Sequence, residues 1–513
     1  MITRALLSVY DKTGLDELAR GLAELGAELL ASGGTSARLT ELGLEHTRVD
    51  ELTEFPELLG GRVKTLHPRI HGGILARRDR EDDMASLAEL GIGPIDLVCV
   101  NLYPFDEVAW RKGTREEEAV EMIDIGGPTL LRAAAKNFVH VAPVCSPEQY
   151  AWVLAELREK GELSLATRRS LAAETFAYTA AYEASIMTWF SDRETFPAHL
   201  VVALEKRRDL SYGENPHQRA AYYTEVGVRR HLLSRVEQLS GKELSFNNLN
   251  DLWGARSLLE ETSLPACVIV KHANPCGCAM AGAIEDAYRR AHACDPLSAY
   301  GGIVALNRPV ELELAQAIAE QFVEVLIAPG FTGEALALLK EKPATRVLLN
   351  RERPFVASGD RDYRRVLGGF LVQDADADID DREGMEVVTA GHPDERAWGD
   401  LMLGWRVVKH VLSNAIVIVK DLATIGIGAG QMSRVDAVRI AVEKAQKHGH
   451  DLRGAALASD AFFPFPDGPR IALDAGVTAV IQPGGSKRDA DVVGAVEKAG
   501  GSMVFTHRRH FRH

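Results

Sequence analysis

Short apolar runs that stop at a polar or glycine-bearing turn, each followed by residues at helical spacing, recur along the whole chain. Residues 4–10 form the first run. It ends at Asp11-Lys12-Thr13-Gly14, and Leu15, Leu18, Ala19, Leu22 and Leu25 follow on one helical face. Residues 27–31 make a second strand ending in Ser32-Gly33-Gly34-Thr35, with a helical stretch to Leu42. Residues 95–100 make a third, ending in Asn101-Leu102-Tyr103-Pro104-Phe105. Residues 116–122 read as helix, Asp124-Ile125-Gly126-Gly127-Pro128 opens another with proline in its first turn, and residues 139–145 return to strand. Such alternation demands an α/β fold with a mostly parallel, doubly wound sheet. Ligands of such sheets sit beyond the carboxyl ends of the strands, where each of these polar motifs lies.

Residues 150–190 read as helix, and residues 191–197 break the pattern. A domain boundary is predicted near 197–205, dividing the chain into 1–197 and 198–513. Beyond it α/β alternation restarts, with strands at 267–271, 302–306, 323–328 and 415–420. Val268-Ile269-Val270-Lys271 and Val417-Ile418-Val419-Lys420 are alike, which hints at an internal duplication joined near 370–395.

Lys and Arg number 59 and Asp and Glu 73 among 513 residues, a net charge of −14. Phosphate backbones are held by excess basic residues, so nucleic acid is a poor general partner, while small anions remain open to local basic clusters. No run of about 18 apolar residues occurs, and the first strand breaks into Asp11-Lys12 too early for a signal peptide. The six cysteines make no disulfide framework, and a reduced cytoplasmic location is expected.

Ser32-Gly33-Gly34-Thr35, between strand and helix, suits a phosphate, although a tight turn alone reads the same way. Gly60-Gly61-Arg62-Val63-Lys64-Thr65-Leu66-His67-Pro68 gathers cations beside it. Asp124 and Lys136 straddle the Gly126-Gly127-Pro128 turn. In the second half, Lys271-His272 ends a strand and pairs a fixed cation with a group able to take a proton. Ser459-Asp460-Ala461-Phe462-Phe463-Pro464-Phe465 reads either as a core plug or as a wall for a planar ligand. Pro275-Cys276-Gly277-Cys278 has neither the C-x-x-C spacing nor the preceding H-x-E of a zinc deaminase, so no transition metal is expected.

Taken together, these motifs with Ser8-Val9-Tyr10-Asp11-Lys12, Arg132-Ala133-Ala134-Ala135-Lys136-Asn137, Tyr212-Gly213-Glu214-Asn215-Pro216-His217-Gln218 and Gly426-Ile427-Gly428-Ala429-Gly430-Gln431 resemble one family closely. It is the bifunctional AICAR (phosphoribosylaminoimidazolecarboxamide) formyltransferase and IMP cyclohydrolase of purine biosynthesis. The resemblance implies an N-terminal methylglyoxal-synthase-like cyclohydrolase domain. It implies a C-terminal formyltransferase domain of two cytidine-deaminase-like units without zinc, and a homodimer. The co-substrate it implies is 10-formyltetrahydrofolate; on a monovalent cation the sequence is silent.

Carried over by motif, the cyclohydrolase nucleotide meets Ser8, Lys12, Ser32, Gly33, Gly34, Thr35, Arg62, Thr65, Asn101, Ile125, Gly126 and Gly127, and Lys64, Tyr103, Asp124 and Lys136 act in ring closure. His272 matches the formyltransferase histidine and Lys271 its supporting cation. Tyr212, Gly301, Glu324, Asn414, Arg434, Asp460, Phe462 and Phe463 match ligand-contacting positions. Two departures stand out. Ser211 replaces the arginine usual before Tyr-Gly, with Arg207 and Arg208 upstream as candidate substitutes, and Glu324 replaces the aspartate of some relatives. The rival readings are a phosphate-sensing regulatory protein and a zinc deaminase; the Lys64, Tyr103, Asp124 and Lys136 set and the separate Lys-His pair argue against the first.

Overall fold

The computed structural model describes residues 2–191, 196–228, 230–352, 360–377 and 381–513. Residues 192–195 of the pattern-breaking segment and 378–380 of the expected join lie outside the described residues. The chain divides into two compact units, one of Met1–Glu205 with Thr224–Val228, the other of Lys206–Tyr223 with Arg229–His513.

In the first unit, β1 (Arg4–Val9), β2 (Glu28–Ala31), β3 (Thr47–Arg48), β4 (Leu97–Asn101) and β5 (Ala142–Val144) form a sheet ordered β3-β2-β1-β4-β5, all neighbours parallel. Both faces are covered, as a parallel sheet requires. Leu15, Leu18 and Leu22 with Val153, Leu154 and Leu157 fill one side, and Ile70, Ile74, Leu130, Leu131 and Ala134 the other. The chain winds outward through β2 and β3, then reverses through β4 and β5, so the topological switch point falls between β1 and β4.

Several boundaries differ from expectation. β4 begins at Leu97 because Asp96 turns its carboxylate onto the Thr3 and Arg4 amides, at 2.8 and 3.1 Å. β5 begins at Ala142 because the His140 and Val141 N–H groups both fold back to the Asn137 carbonyl, at 2.9 Å each. The 150–190 stretch is two helices, Tyr150–Lys160 and Leu165–Phe190. Gly161 closes the first in the left-handed region, and the Ser164 hydroxyl caps the second through the Thr167 amide.

β6 (Leu204–Leu210) and β7 (Ala220–Glu225) precede the second unit's main sheet. That sheet contains β8 (Val236–Ser240), β9 (Ala266–Lys271), β10 (Asn274–Met280), β11 (Ile303–Leu306), β12 (Val325–Ala328) and β13 (Arg346–Asn350). A separate hairpin follows, β14 (Arg361–Val366) with β15 (Gly369–Asp374). The sheet is completed by β16 (Glu386–Val387), β17 (Ile416–Lys420), β18 (Ala423–Gly428), β19 (Ala456–Ser459), β20 (Ala479–Gln482) and β21 (Ser502–Phe505).

Its order, β16-β21-β20-β19-β17-β18-β10-β9-β11-β12-β13-β8, reads as two copies of one pattern meeting antiparallel at Ala279 and Ala423. In each copy a hairpin of two strands is followed outward by an antiparallel, then two parallel strands. The similarity of the two Lys-ended strands is therefore a structural duplication. Alternate side chains serve alternate faces. Val268, Val270, Val417 and Val419 enter one core shared by both copies, under the helices Phe246–Glu260 and Glu395–Lys409. Cys267 and Ile269 enter a second core, and Ile416 and Ile418 a third. Gly277 and Gly426 let the next helix lie against each hairpin; a Cβ there would stand 1.9 Å from the Ala291 carbonyl oxygen and 2.2 Å from that of Ala441. Among the described residues no helix is long and apolar enough to cross a membrane.

Candidate active sites

At the switch point of the first unit, β1 and β4 are in register at Val9 and Asn101. Asn101 is buried, and its side-chain amide is taken up by the loop after β1. Its Oδ1 accepts from the Tyr10 and Asp11 amides at 2.6 and 2.9 Å, and its Nδ2 donates to the Asp11 carbonyl at 2.9 Å. This latch directs Lys12 toward the turn after β2. The Lys12 ammonium donates to the Val9 carbonyl and lies 3.4 Å from Thr35 Oγ1, and burial lowers its pKa. Thr35 in turn accepts from the Val9 amide at 3.0 Å.

The helix Gly33–Glu41 starts at this point, and Ser32, its N-cap residue, bonds the Ser8 hydroxyl at 2.9 Å rather than capping the helix. Gly33 has φ +48°; a Cβ on it would stand 3.5 Å from Lys64 Nζ, and one on Gly34 4.0 Å from Lys12 Nζ. Uncapped helix N–H groups between two ammonium groups form an anion cradle. Lys64 is countered by Glu57 at 2.6 Å. Arg62 is more exposed and pairs with Glu121. The cavity against this turn is lined by Ser32, Gly33, Ser36, Arg48, Phe55 and Lys64.

Asp124 is held by two hydrogen bonds. The Gly127 amide donates to its Oδ1 at 2.8 Å, and the Tyr182 hydroxyl accepts from its own amide at 2.8 Å. Burial raises its carboxyl pKa, opposed by backbone N–H groups of Gly127, Tyr103 and Gly126. Burial also raises the Tyr103 phenol, assisted by the Asp124 charge and opposed by Lys64. Lys64, Tyr103 and Asp124 thus form one electrostatic cluster. Thr65 Oγ1 closes its edge, 2.7 Å from where a Gly126 Cβ would be. Ile125 projects outward, and Lys136 is not part of the cluster. It is exposed at the last turn of the helix Gly126–Lys136, about 15 Å along the axis from Gly126 at ~1.5 Å per residue.

In the second unit, the Lys271 ammonium donates to the Tyr300 and Gly301 carbonyls at 3.1 and 2.9 Å. His272 and Ala273 are the two central residues of the β9–β10 hairpin, at φ +50° and +61°, and His272 is exposed. Asp251 Oδ1 accepts the Ala273 amide at 2.6 Å. One helical turn earlier, Asn248 Nδ2 donates to Glu324 Oε1 at 3.0 Å, and Arg346 lies 3.6 Å from that carboxylate. Tyr212 is partly buried before a turn in which the Asn215 amide donates to Gln218 Oε1 at 2.9 Å. Arg207 and Arg208 lie in β6, ahead of the Ser211 position.

A second group lies beyond β17 and β18. Arg434 donates to Asn414 Oδ1 at 2.7 Å, to Ser459 Oγ at 2.8 Å and to Asp460. Asp460 is fully buried and also accepts from Ser413 Oγ at 2.5 Å. Asn274 connects the two groups: its Nδ2 donates to the His272 carbonyl at 3.2 Å, and its Oδ1 accepts the Leu412 amide at 3.0 Å. The structure places Phe463 on the core side of its motif. Its ring is buried in a core with Val438 and Val480, because its amide is tied inward to Gln482 Oε1 at 2.7 Å, whereas Phe462 remains exposed. Cys276 and Cys278 are buried free thiols on β10. Among the described residues no group of three or more His, Cys, Asp or Glu is placed to hold a metal ion.

Sequence reading missed Asp251, Asn248, Asn274 and Glu57. The duplication carries a signal for Asp251: it stands 271 − 251 = 20 residues before Lys271, as Asp400 stands 420 − 400 = 20 before Lys420.

Comparison with known proteins bears on both units. The family model described as AICARFT/IMPCHase bienzyme matches residues 134–444, and that of the MGS-like domain matches residues 14–129. A "Bifunctional purine biosynthesis protein PurH" of Cyanothece sp. (strain PCC 7425 / ATCC 29141) is 50% identical over 99% of both chains. Proteins of the same name from Bacillus cereus (strain AH820) and Bacillus anthracis (strain A0248) are 48% identical over 100% of both. A solved structure described as "Crystal structure of ForH" is 40% identical, covering 37% of this chain and 100% of its own, at TM-score 0.33. With half its residues identical to a full-length relative and most of its length matched by the family model, the chain belongs to the AICARFT/IMPCHase bienzyme family.

Proposed function

We propose that the two reactions of this family run at two sites of separate construction, ring closure in the first unit and formyl transfer in the second. As a family member the chain is a bifunctional enzyme of purine biosynthesis. It transfers a formyl group from a folate co-substrate to AICAR and closes formyl-AICAR to IMP. Our finer reading takes 10-formyltetrahydrofolate as the donor, no transition metal, a cytoplasmic homodimer, and a division near residues 197–198.

The acceptor in formyl transfer is an aromatic amine beside a carboxamide, a poor nucleophile. His272, exposed at its turn, takes the amine proton as nitrogen attacks the formyl carbon. Lys271, aimed by two carbonyl oxygens, faces the oxyanion of the tetrahedral intermediate. Collapse expels the folate nitrogen, which takes a proton back. Asn414 and Arg434 are proposed to orient the acceptor, and Asp460 to fix Arg434 rather than to touch ligand.

Ring closure is intramolecular, so holding the substrate in its closing conformation removes much of the barrier. The Gly33-Gly34 cradle between Lys12 and Lys64 is proposed to hold the nucleotide phosphate. Lys64 and Tyr103 then steady the oxygen that leaves as water, while Asp124 moves a proton, a task suited to a carboxyl whose pKa burial has raised. Lys136 is proposed as a further proton carrier.

The observation carrying this reading is the coexistence, on separate units, of an electrostatic cluster over an anion cradle and an exposed histidine beside an aimed lysine. Lys64→Ala and His272→Ala in the full chain test it. Lys64→Ala should lose ring closure of supplied formyl-AICAR and keep formyl transfer, and His272→Ala the reverse. A single substitution that removes both activities from a folded protein refutes the assignment.

A further inference from the structure

The turn that presents His272 is costly on its own. Two-residue hairpin turns with both central residues at positive φ favour Asn-Gly or Gly-Gly, because a Cβ crowds the backbone there. Here the pair is His272-Ala273, at +50° and +61°, with no glycine. Something outside the hairpin must hold it. Asp251, on the helix Phe246–Glu260 beneath, places its Oδ1 2.6 Å from the Ala273 amide nitrogen. The His272 amide lies close enough to lower the pKa of this carboxylate. A charged acceptor on a turn amide is a strong clamp.

The duplicated half repeats the device without the histidine. Asp421 and Leu422 occupy the corresponding turn at φ +53° and +61°. Asp400 accepts their amides at 2.9 and 2.6 Å from the corresponding helix. The surroundings differ. Asp400 is fully buried and feels the Asp421 and Arg396 charges, whereas Asp251 is partly exposed, and the His272 and Glu324 charges act on it. The same carboxylate that shapes a hairpin in one half therefore stands at a reactive position in the other.

We propose that Asp251 is a positioning residue of formyl transfer, which fixes the imidazole of His272 over the acceptor amine by clamping the left-handed turn from below. The inference rests on the reading of His272 as the proton acceptor. It assigns Asp251 no contact with substrate: its effect passes through the amide of Ala273 and the turn it fixes. A base displaced by an ångström loses much of its rate advantage while the groups that bind the nucleotide remain in place.

The test compares formyl-transfer kcat and KM in full-length variants of matched folded content. Asp251→Ala should lower kcat about 10- to 100-fold and leave KM for AICAR within about threefold. Asp251→Asn, which keeps an acceptor oxygen, should lie much closer to wild type. Ala273→Gly added to Asp251→Ala should restore kcat, since glycine takes a positive φ without strain. Asp400→Ala should lower the melting temperature and leave the kcat of folded protein unchanged. A kcat for Asp251→Ala within about twofold of wild type overturns the proposal, as does equal loss of kcat in Asp251→Ala and Asp400→Ala. If Asp251→Ala does not fold, the double variant decides: a folded double variant with wild-type kcat supports the clamp, and one still impaired overturns it. His272→Ala, run alongside, separates the two failures, because formyl transfer surviving in that variant removes the underlying reading itself.

Discussion

The amide of Gly127 donates to Asp124 Oδ1 at 2.8 Å, and the place where its Cβ would be lies 2.5 Å from Asp124 Oδ2 and 2.7 Å from Leu102 Cδ2. The absence of a side chain at 127 is what lets the carboxylate close on the start of this helix. Gly127→Ala should push Asp124 out of line and lower the ring-closure rate about 100-fold, a cost typical of an ångström's misplacement. Formyl transfer should be untouched. Steady-state assay of each half-reaction checks this, and unimpaired ring closure would detach Asp124 from the step.

Arg434 and Asp460 form a buried pair, with side chains 8% and 0% exposed. Arg434→Ala leaves the Asp460 carboxylate with Ser413 as its remaining described side-chain partner. Breaking such a pair costs about 3–5 kcal/mol because the other charge stays buried. Denaturant unfolding should show that loss, and Arg434→Ala with Asp460→Asn should recover part of it. Equal stability of the single variant and wild type would contradict the buried-pair account.

Glu260 ends its helix beside Glu261, and burial pushes its pKa from 4.5 up to about 7, against the pull of Arg256. A carboxyl raised in the folded state costs stability once it ionises. The cost is absent below pH 4.5, grows between 4.5 and 7, and is complete above 7. Glu260→Gln should therefore stabilise the protein at pH 8, by about 1–3 kcal/mol after allowance for partial exposure. At pH 4.5 and below the two proteins should melt alike. A stabilisation that does not vanish at low pH would point to packing instead of charge.

His272→Ala removes the proposed base and should lower formyl-transfer kcat about 10²- to 10⁴-fold. Because His272 is exposed, the melting temperature should hold. Closure of supplied formyl-AICAR should match wild type. A kcat within a few-fold of wild type would leave Lys271 or the substrate itself to handle the proton.

Lys136→Ala is expected to abolish ring closure and spare formyl transfer. An exposed lysine in a helix's last turn contributes little to stability, so a selective loss would report chemistry. Unchanged ring closure would instead agree with its distance from Asp124 along the helix and withdraw it from the step.

Periodicity alone determined the α/β class, the parallel first sheet and the position of each polar motif at a strand's carboxyl end. These follow from local rules: apolar runs must be buried, and glycine-bearing turns must link strand to helix. The likeness of residues 268–271 and 417–420 was also legible, as a hint of duplication. Only the tertiary structure decided what each motif residue touches within the protein. Asn101 latches a loop, Phe463 fills a core and Asp460 anchors an arginine, although all three belong to motifs that look like binding elements. Asp251 was missed for the opposite reason. It sits in a helix with no motif around it, and its importance comes from a hairpin 20 residues later in the chain whose left-handed residues it holds. Local sequence specifies which elements form. Which carboxylate lies under which amide depends on strand register and helix placement, and those are set by packing across the whole sheet.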